Sequence, residues 1–440
     1  MPSKSCVFDV YRVLQSAKYL IDKEKGSIML SKIEMYIEKY KDHLFWTFMA
    51  GSYGCMAFLF SAQALRIKGK YLSDLDVHLS HAIESSGSGY SLESTLTVLI
   101  YRIFGKNATA CMIGFSLLLA LMVVLTPLAV ASLLSFLDRT EKGTPLGVTR
   151  NRFIGLFSIY IAPLMIPVVW FWFYNNNCNI NAWHNSTYME MRLFSVMALC
   201  LYFVIQEGLL NGKNIRLTYW SAFAACLFAA TWFKPSYFVG FAPVMVIWLL
   251  IDLVKSRGDL TKIRNLFFFG CACIPAGLMV ILQYWKLYGS REDVSVVLNT
   301  AQDSLRNNIR TGLFLILPVI IFLYNRKKVV SEYKKGNRAY VQIMVLWVIE
   351  WLYGRIFTEE GRTGGNFGWG VRMANYLVVA VCVRLFWINL LDVLQKRKDG
   401  QALTKAECIY VIGIGAVLLW EMVCGSFYFL WLLTGRSYWI

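Results

Sequence analysis

Apolar runs of about twenty residues recur from Leu44 to Leu433, each long enough to cross a hydrocarbon core of roughly 30 Å. A water-soluble chain does not tolerate such a series, because its outside must be wetted. The rest of the composition agrees: 57% of residues are hydrophobic, 16% are charged, and the mean hydropathy is +0.50. The expectation is an all-α polytopic membrane protein with about eleven transmembrane helices, at 44–65, 112–137, 153–174, 192–210, 217–233, 237–254, 265–287, 312–325, 339–355, 371–391 and 407–433. Two of these, 217–233 and 312–325, are short for a span.

Residues 1–43 mix Lys, Glu and Asp with short apolar stretches and contain neither an h-region nor a small-residue cleavage site, which predicts no cleavable signal peptide. They read as a cytoplasmic amphipathic segment at the membrane surface, preceding a single transmembrane domain over 44–440. The formal net charge of +17 is unevenly spread. With the N-terminus inside, the cytoplasmic connections are TEKGTPLGVTRNR, GKNIR, KSRGDLTKIR, NRKKVVSEYKKGNR and QKRKDGQALTK, and every one is basic. The charge therefore reports orientation and contact with anionic lipid, and no nucleic-acid partner is expected. The predicted location is the cell membrane, multi-pass, N-terminus cytoplasmic. Most of the eleven cysteines fall in apolar runs and no CxxC occurs, so neither a disulfide framework nor a zinc–thiolate site is expected.

Four outer loops remain: 66–111, 175–191, 288–311 and 356–370. The first carries YLSDLDVHLSHAIESSG, with Ser73 and Asp76 in a helix-start pattern. A helix over 74–85 places Asp74, His78 and His81 at i, i+4 and i+7 on one stripe, with Leu75, Leu79, Ala82 and Ile83 about 100° away. This interfacial helix reads either as a well-capped surface element or as an acid/base site in which an imidazole tunes a carboxylate. The same stripe can present three ligands to a divalent cation, so the metal question stays open. A second segment of this loop, YSLESTLTVLIYRIFG, is too short to span and reads as interfacial or re-entrant.

In loop 175–191, NNNCNINAWHNSTYME offers Trp183, His184 and Asn185, residue types that stack on and hydrogen-bond to a sugar; Trp183 and Tyr188 also suit an interfacial aromatic belt. Asn185-Ser186-Thr187 matches a glycosylation sequon. Loop 356–370, FTEEGRTGGNFGWG, has a glycine-rich backbone that allows close approach to a ligand, and it contributes Glu359, Arg362, Asn366 and Trp369. Arg355, Arg362 and Arg372 bracket it, either snorkelling to the interface or clamping a phosphate. Loop 288–311 reads as an amphipathic outer helix.

The absence of GxxxxGK[ST], GxSxG and HExxH removes ATP-driven and common hydrolase readings. Polarity gathers at the outer surface rather than at mid-depth, which argues against a transporter path.

S-D-x-D-x-H on an amphipathic helix in the first outer loop, then G-Y-S and a juxtamembrane segment, resembles the GT-C superfamily of integral-membrane glycosyltransferases. WHNSTY and GGNFGWG are similar to motifs of its bacterial members. The resemblance implies a polyprenyl-phosphate-linked sugar donor, an extracytoplasmic glycan, lipid or polymer acceptor, and inversion at the anomeric carbon. It places the catalytic carboxylate at Asp74 or Asp76. Asp74 is preferred because it shares a face with both histidines, with His78 as its orienter or a sugar ligand. His81, Trp183, His184, Asn185, Glu359, Arg362, Asn366, Trp369 and Arg372 are the expected substrate-binding residues, Arg362 and Arg372 facing the phosphate. Some members of the superfamily hold a divalent metal, and no other cofactor is expected. A surface-polysaccharide polymerase or ligase, or a lipid-linked-sugar transporter, is the alternative.

Overall fold

The structure, a computed structural model, describes residues 24–85, 91–138, 146–161, 180–289, 295–298, 305–360 and 367–436. Two compact units divide it, Met1–Gly51 and Ser52–Ile440. Among the described residues there are fourteen α-helices and two short strands. In chain order these are α1 (Glu24–Ala64), α2 (Asp74–Glu84), α3 (Leu92–Ile103), α4 (Ala108–Asp138), α5 (Leu146–Ser158), α6 (Ser186–Leu210), α7 (Leu217–Phe233), α8 (Ser236–Lys255) and α9 (Leu260–Tyr288). Then follow β1 (Ser295–Leu298), α10 (Leu305–Tyr324), α11 (Arg326–Lys334), α12 (Ala339–Ile356), β2 (Phe357–Glu360), α13 (Gly368–Lys398) and α14 (Lys405–Leu433).

Seven of the described helices are long and apolar enough to cross a membrane, and α7 and Phe314–Tyr324 are shorter apolar helices. This is a polytopic helical membrane protein. Ten of the apolar runs coincide with helices, while 153–174 extends past α5 into residues outside the described ones. The count of eleven crossings is therefore a count of apolar segments, seven of which have full spanning length among the described residues.

Within Ser52–Ile440 the middle of the bundle is α13. It packs on α5, α8, α10, α12 and α14, and most of its first nineteen residues are buried. In lipid the hydrophobic effect does not drive helices together, so close fit and internal polar bonds must. Both occur. A Cβ added at Gly155 in α5 would overlap the Pro127 carbonyl of α4, so only glycine lets these backbones meet. Buried Asn375 of α13 accepts from the indoles of Trp347 (2.7 Å) and Trp351 (3.0 Å) of α12. Phe267, Ile274, Leu278, Ile281 and Trp285 of α9 stay exposed, as a lipid-facing stripe should.

The ends of the helices segregate by charge. Arg338, at the start of α12, bonds Asp252 near the end of α8 at 2.6 Å, joining two of the basic connections. The connections 66–73, 180–185 and 234–235 lie at the other end, with strand 357–360, around the cavity described below.

Local signals set α2 as expected. Ser73 is its N-cap, accepting from the Leu75 N–H, and the helix runs to Glu84. The segment after it forms α3, about 18 Å long and too short to span. Loop 288–311 matches its amphipathic-helix reading only from residue 305, where α10 begins, and 295–298 is a strand instead. The α9 helix runs on to Tyr288 and β1 pairs antiparallel with β2, Val296 opposite Glu359 and Val297 opposite Thr358. Adjacent β-branched Val296 and Val297 suit an extended backbone, but the partner strand follows another helix and lies far along the chain.

Candidate functional site

A cavity of about 820 Å³ opens among α2, α3, the start of α6, the α7–α8 turn, α9, α12, the strands and the start of α13. Asp74, His78, His81, Asn185, Glu359 and Trp369 all line it, so residues from three separate loops meet there.

The base candidate is held by its loop partner. Asp74 heads α2, and its backbone N–H donates to the His184 carbonyl at 3.1 Å, as does the Ser73 hydroxyl at 3.0 Å. The Asn185 amide then donates to Asp74 Oδ2 at 3.1 Å. Asn185 Oδ1 caps α6 by accepting from the Tyr188 N–H at 3.0 Å and takes a bond from Lys234 Nζ at 3.4 Å. One amide thus joins a carboxylate to an ammonium. As a buried cap, Asn185 does not present its sequon to a modifying enzyme.

His78, one turn after Asp74, bonds through Nδ1 to Glu93 Oε2 at 3.0 Å, and Ser186 donates to the other Glu93 oxygen. Glu93 is only 3% exposed, in the first turn of α3. Burial alone would lower the His78 pKa, but the Glu93 charge and hydrogen bond outweigh it and raise the imidazole above its usual value. Among the described residues no three His, Cys, Asp or Glu side chains gather as a metal-holding group.

Lys234 is the central cation. It sits in the α7–α8 turn, 8% exposed, bonded to Thr187 Oγ1 at 3.1 Å, with Nζ 4.5 Å from the Trp369 ring centre. Burial pulls its pKa down to about 8, against the attraction of Glu93 and Asp74 and helped by the Arg372 charge. Arg372 stacks on the same indole at 4.2 Å. Two cations therefore share Trp369, a cation–π arrangement that holds positive charge in a dry place.

Deeper in the cavity lies Glu350 of α12, 2% exposed. A Cβ at Gly240 of α8 or at Gly370 of α13 would overlap its carboxylate, so two glycines make the room for this acid.

Four expected site residues do not line the cavity, and of these Arg372 reaches it only through its stacking on Trp369. Asp76 pairs with Arg66 and does not line the cavity, because two helical steps turn it to the side away from the Asp74 stripe. Trp183 is buried, its ring 5.3 Å from Phe429 and 5.8 Å from the Arg192 guanidinium, and acts in packing rather than as a belt aromatic. His184 offers its backbone carbonyl to α2, while burial, with Arg372 and Lys234 adding to it, lowers its imidazole to about 3. That ring stays neutral at physiological pH. Arg362 and Asn366 lie outside the described residues. Glu93, Lys234 and Glu350 line the cavity without having been expected there. A lysine in a Trp-x-Lys-Pro turn and a single acid inside each apolar segment were their only sequence signals.

No family model matches the chain, and no curated protein matches it. A solved structure of ArnT from Cupriavidus metallidurans, bound to undecaprenyl phosphate, is similar over 89% of this chain and 75% of that one, at 12% identity and a TM-score of 0.42.

Proposed function

We propose that the chain is a membrane glycosyltransferase that moves a sugar from a polyprenyl-phosphate-linked donor to an extracytoplasmic acceptor. The observation that carries this reading is the Asp74–Asn185–Lys234 arrangement on the rim of a large cavity in a membrane-spanning bundle. Transfer of a sugar from a lipid phosphate needs a proton acceptor for the incoming hydroxyl and a cation for the departing phosphate. Asp74 supplies the first. Lys234, backed by Arg372 on the same Trp369 indole, supplies the second.

In the reaction the acceptor oxygen forms a bond to the anomeric carbon as its proton passes to Asp74. The bond from that carbon to the phosphate oxygen breaks, and its electron pair leaves with the phosphate next to Lys234. Attack opposite the leaving group inverts the centre. His78, oriented by Glu93, lies one turn along the same stripe and hydrogen-bonds the sugar. The divalent-cation alternative calls on Asp74, His78 and His81, but Asp74 and His78 are already hydrogen-bonded to Asn185 and Glu93. The cavity end faces outward and the N-terminus inward, in line with the basic connections gathered at the opposite end.

Cells lacking the protein are expected to accumulate one isoprenoid-linked sugar, detected by mass spectrometry of lipid extracts. Purified protein in liposomes should then consume that lipid and release free polyprenyl phosphate. No change in the lipid-linked sugar pool on deletion would refute the reading.

A further inference from the structure

A second cavity, of about 450 Å³, lies at the basic end of the bundle, far along α7 and α9 from the first. Its mouth is formed by Lys213 and Asn214, from the turn after α6, and by Arg264 in the second turn of α9. Lys213 and Arg264 are both exposed. Its walls are mostly apolar, with Leu217, Trp220 and Ala224 of α7 and Phe268 and Ala272 of α9, and Ser221 and Asn265 add two neutral polar groups. The Trp220 ring is braced edge-on against Phe269 at 4.8 Å, which keeps the wall in place. No acidic side chain is among the residues that line it.

Two further facts give the groove a polarity. The α7 helix begins at its mouth, and its N-cap, Arg216, makes no side-chain capping bond. The Tyr219 N–H turns back to the Arg216 carbonyl, and the Leu217 and Thr218 N–H groups, with the positive end of the α7 dipole, face the mouth. The apolar part then runs along helices whose outer faces, at Leu217, Phe267 and Phe268, are exposed where lipid is expected.

We propose that this groove binds an anionic phospholipid of the cytoplasmic leaflet. Its phosphate sits among Lys213, Arg264 and the start of α7, and one acyl chain lies along Trp220 and Phe268. The chemistry is that of a phosphodiester with a hydrocarbon tail. Two cations at the mouth satisfy the charge, and an apolar channel about a helix turn below satisfies the chain. The site is separate from the sugar-transfer cavity and does not depend on the function assigned to that cavity.

The test uses native mass spectrometry of the purified full-length protein, incubated with phosphatidylglycerol or with phosphatidylcholine of the same acyl chains. Retention of one phosphatidylglycerol is expected, with a preference of about tenfold or more over phosphatidylcholine. Lys213→Ala with Arg264→Ala should bring that preference to within about twofold, at an unchanged melting temperature in detergent. Arg326→Ala with Lys327→Ala, removing two exposed cations on α11 at the same end, should leave it intact. Equal retention of the two lipids, or an equal loss in the α11 variant, overturns the proposal. Displacement of phosphatidylglycerol by millimolar inorganic phosphate also overturns it, since an anion alone would then fill the site.

Discussion

Asp74→Asn is expected to lower the turnover of a lipid-linked sugar by roughly 10²- to 10⁴-fold, with little loss of stability. Asparagine at this position keeps the backbone bond to His184 and an oxygen for the Asn185 amide, and removes only the group that takes a proton. Asp76→Asn is the matched control. Its carboxylate pairs with Arg66 and does not line the cavity, so turnover should hold. The measurement is single-turnover transfer from a radiolabelled donor in liposomes, with thermal unfolding alongside. A larger fall for Asp76→Asn would move the base one turn-face away. Wild-type rates in both variants would leave α2 as a capped surface helix. A metal would declare itself separately, through loss of activity in His78→Ala and His81→Ala and on adding a chelator.

Lys234→Ala should weaken binding of a polyprenyl-phosphate sugar about ten- to a hundredfold, the scale of one lost charged hydrogen bond to phosphate. The pH dependence sharpens this. With a pKa lowered to about 8, Lys234 carries its charge at pH 7 and loses it as pH rises through that value, so affinity should fall from pH 7 to 9. Stability should move the other way. Between about 8 and the ordinary lysine value of 10.5 the unfolded chain holds the proton and the folded one does not, so folding becomes more favourable as pH rises there. Lys234→Arg keeps its charge throughout and should flatten the binding curve. Affinity that is level across pH 7–9 in the wild type would remove Lys234 from the phosphate.

Much of the architecture was legible because its causes are local. Spanning runs declare themselves by length, and Ser73 with two aspartates behind it marks the start of α2 wherever that helix is placed. The meeting of Asp74 with Asn185 was foreshadowed only as two loops on one side. What could not be read depends on contacts between distant segments. Lys234 looked like an ordinary turn lysine, and its role comes from Thr187, Asn185 and Trp369 arriving from two other helices. Glu93 resembled a lone acid in an apolar segment until His78 and Ser186 closed on it. His184 shows a second kind of distance effect: residue type suggested a sugar ligand, and the structure adds a main-chain carbonyl that receives the start of α2. The strand at 295–298 escaped for the same reason, since half of its pattern lies in β2.

Glu350 and the two glycines around it constrain how this protein can change over time. They stand on α12, α8 and α13, so no single segment can be exchanged without reference to the others. A methyl group at either glycine collides with the carboxylate while Glu350 is present, whereas shortening Glu350 collides with nothing. Substitutions at these three positions are therefore coupled: a methyl at either glycine requires the carboxylate to shift or to be absent. The path can be retraced by restoring glycine before the acid, so the three positions vary as a set rather than one at a time.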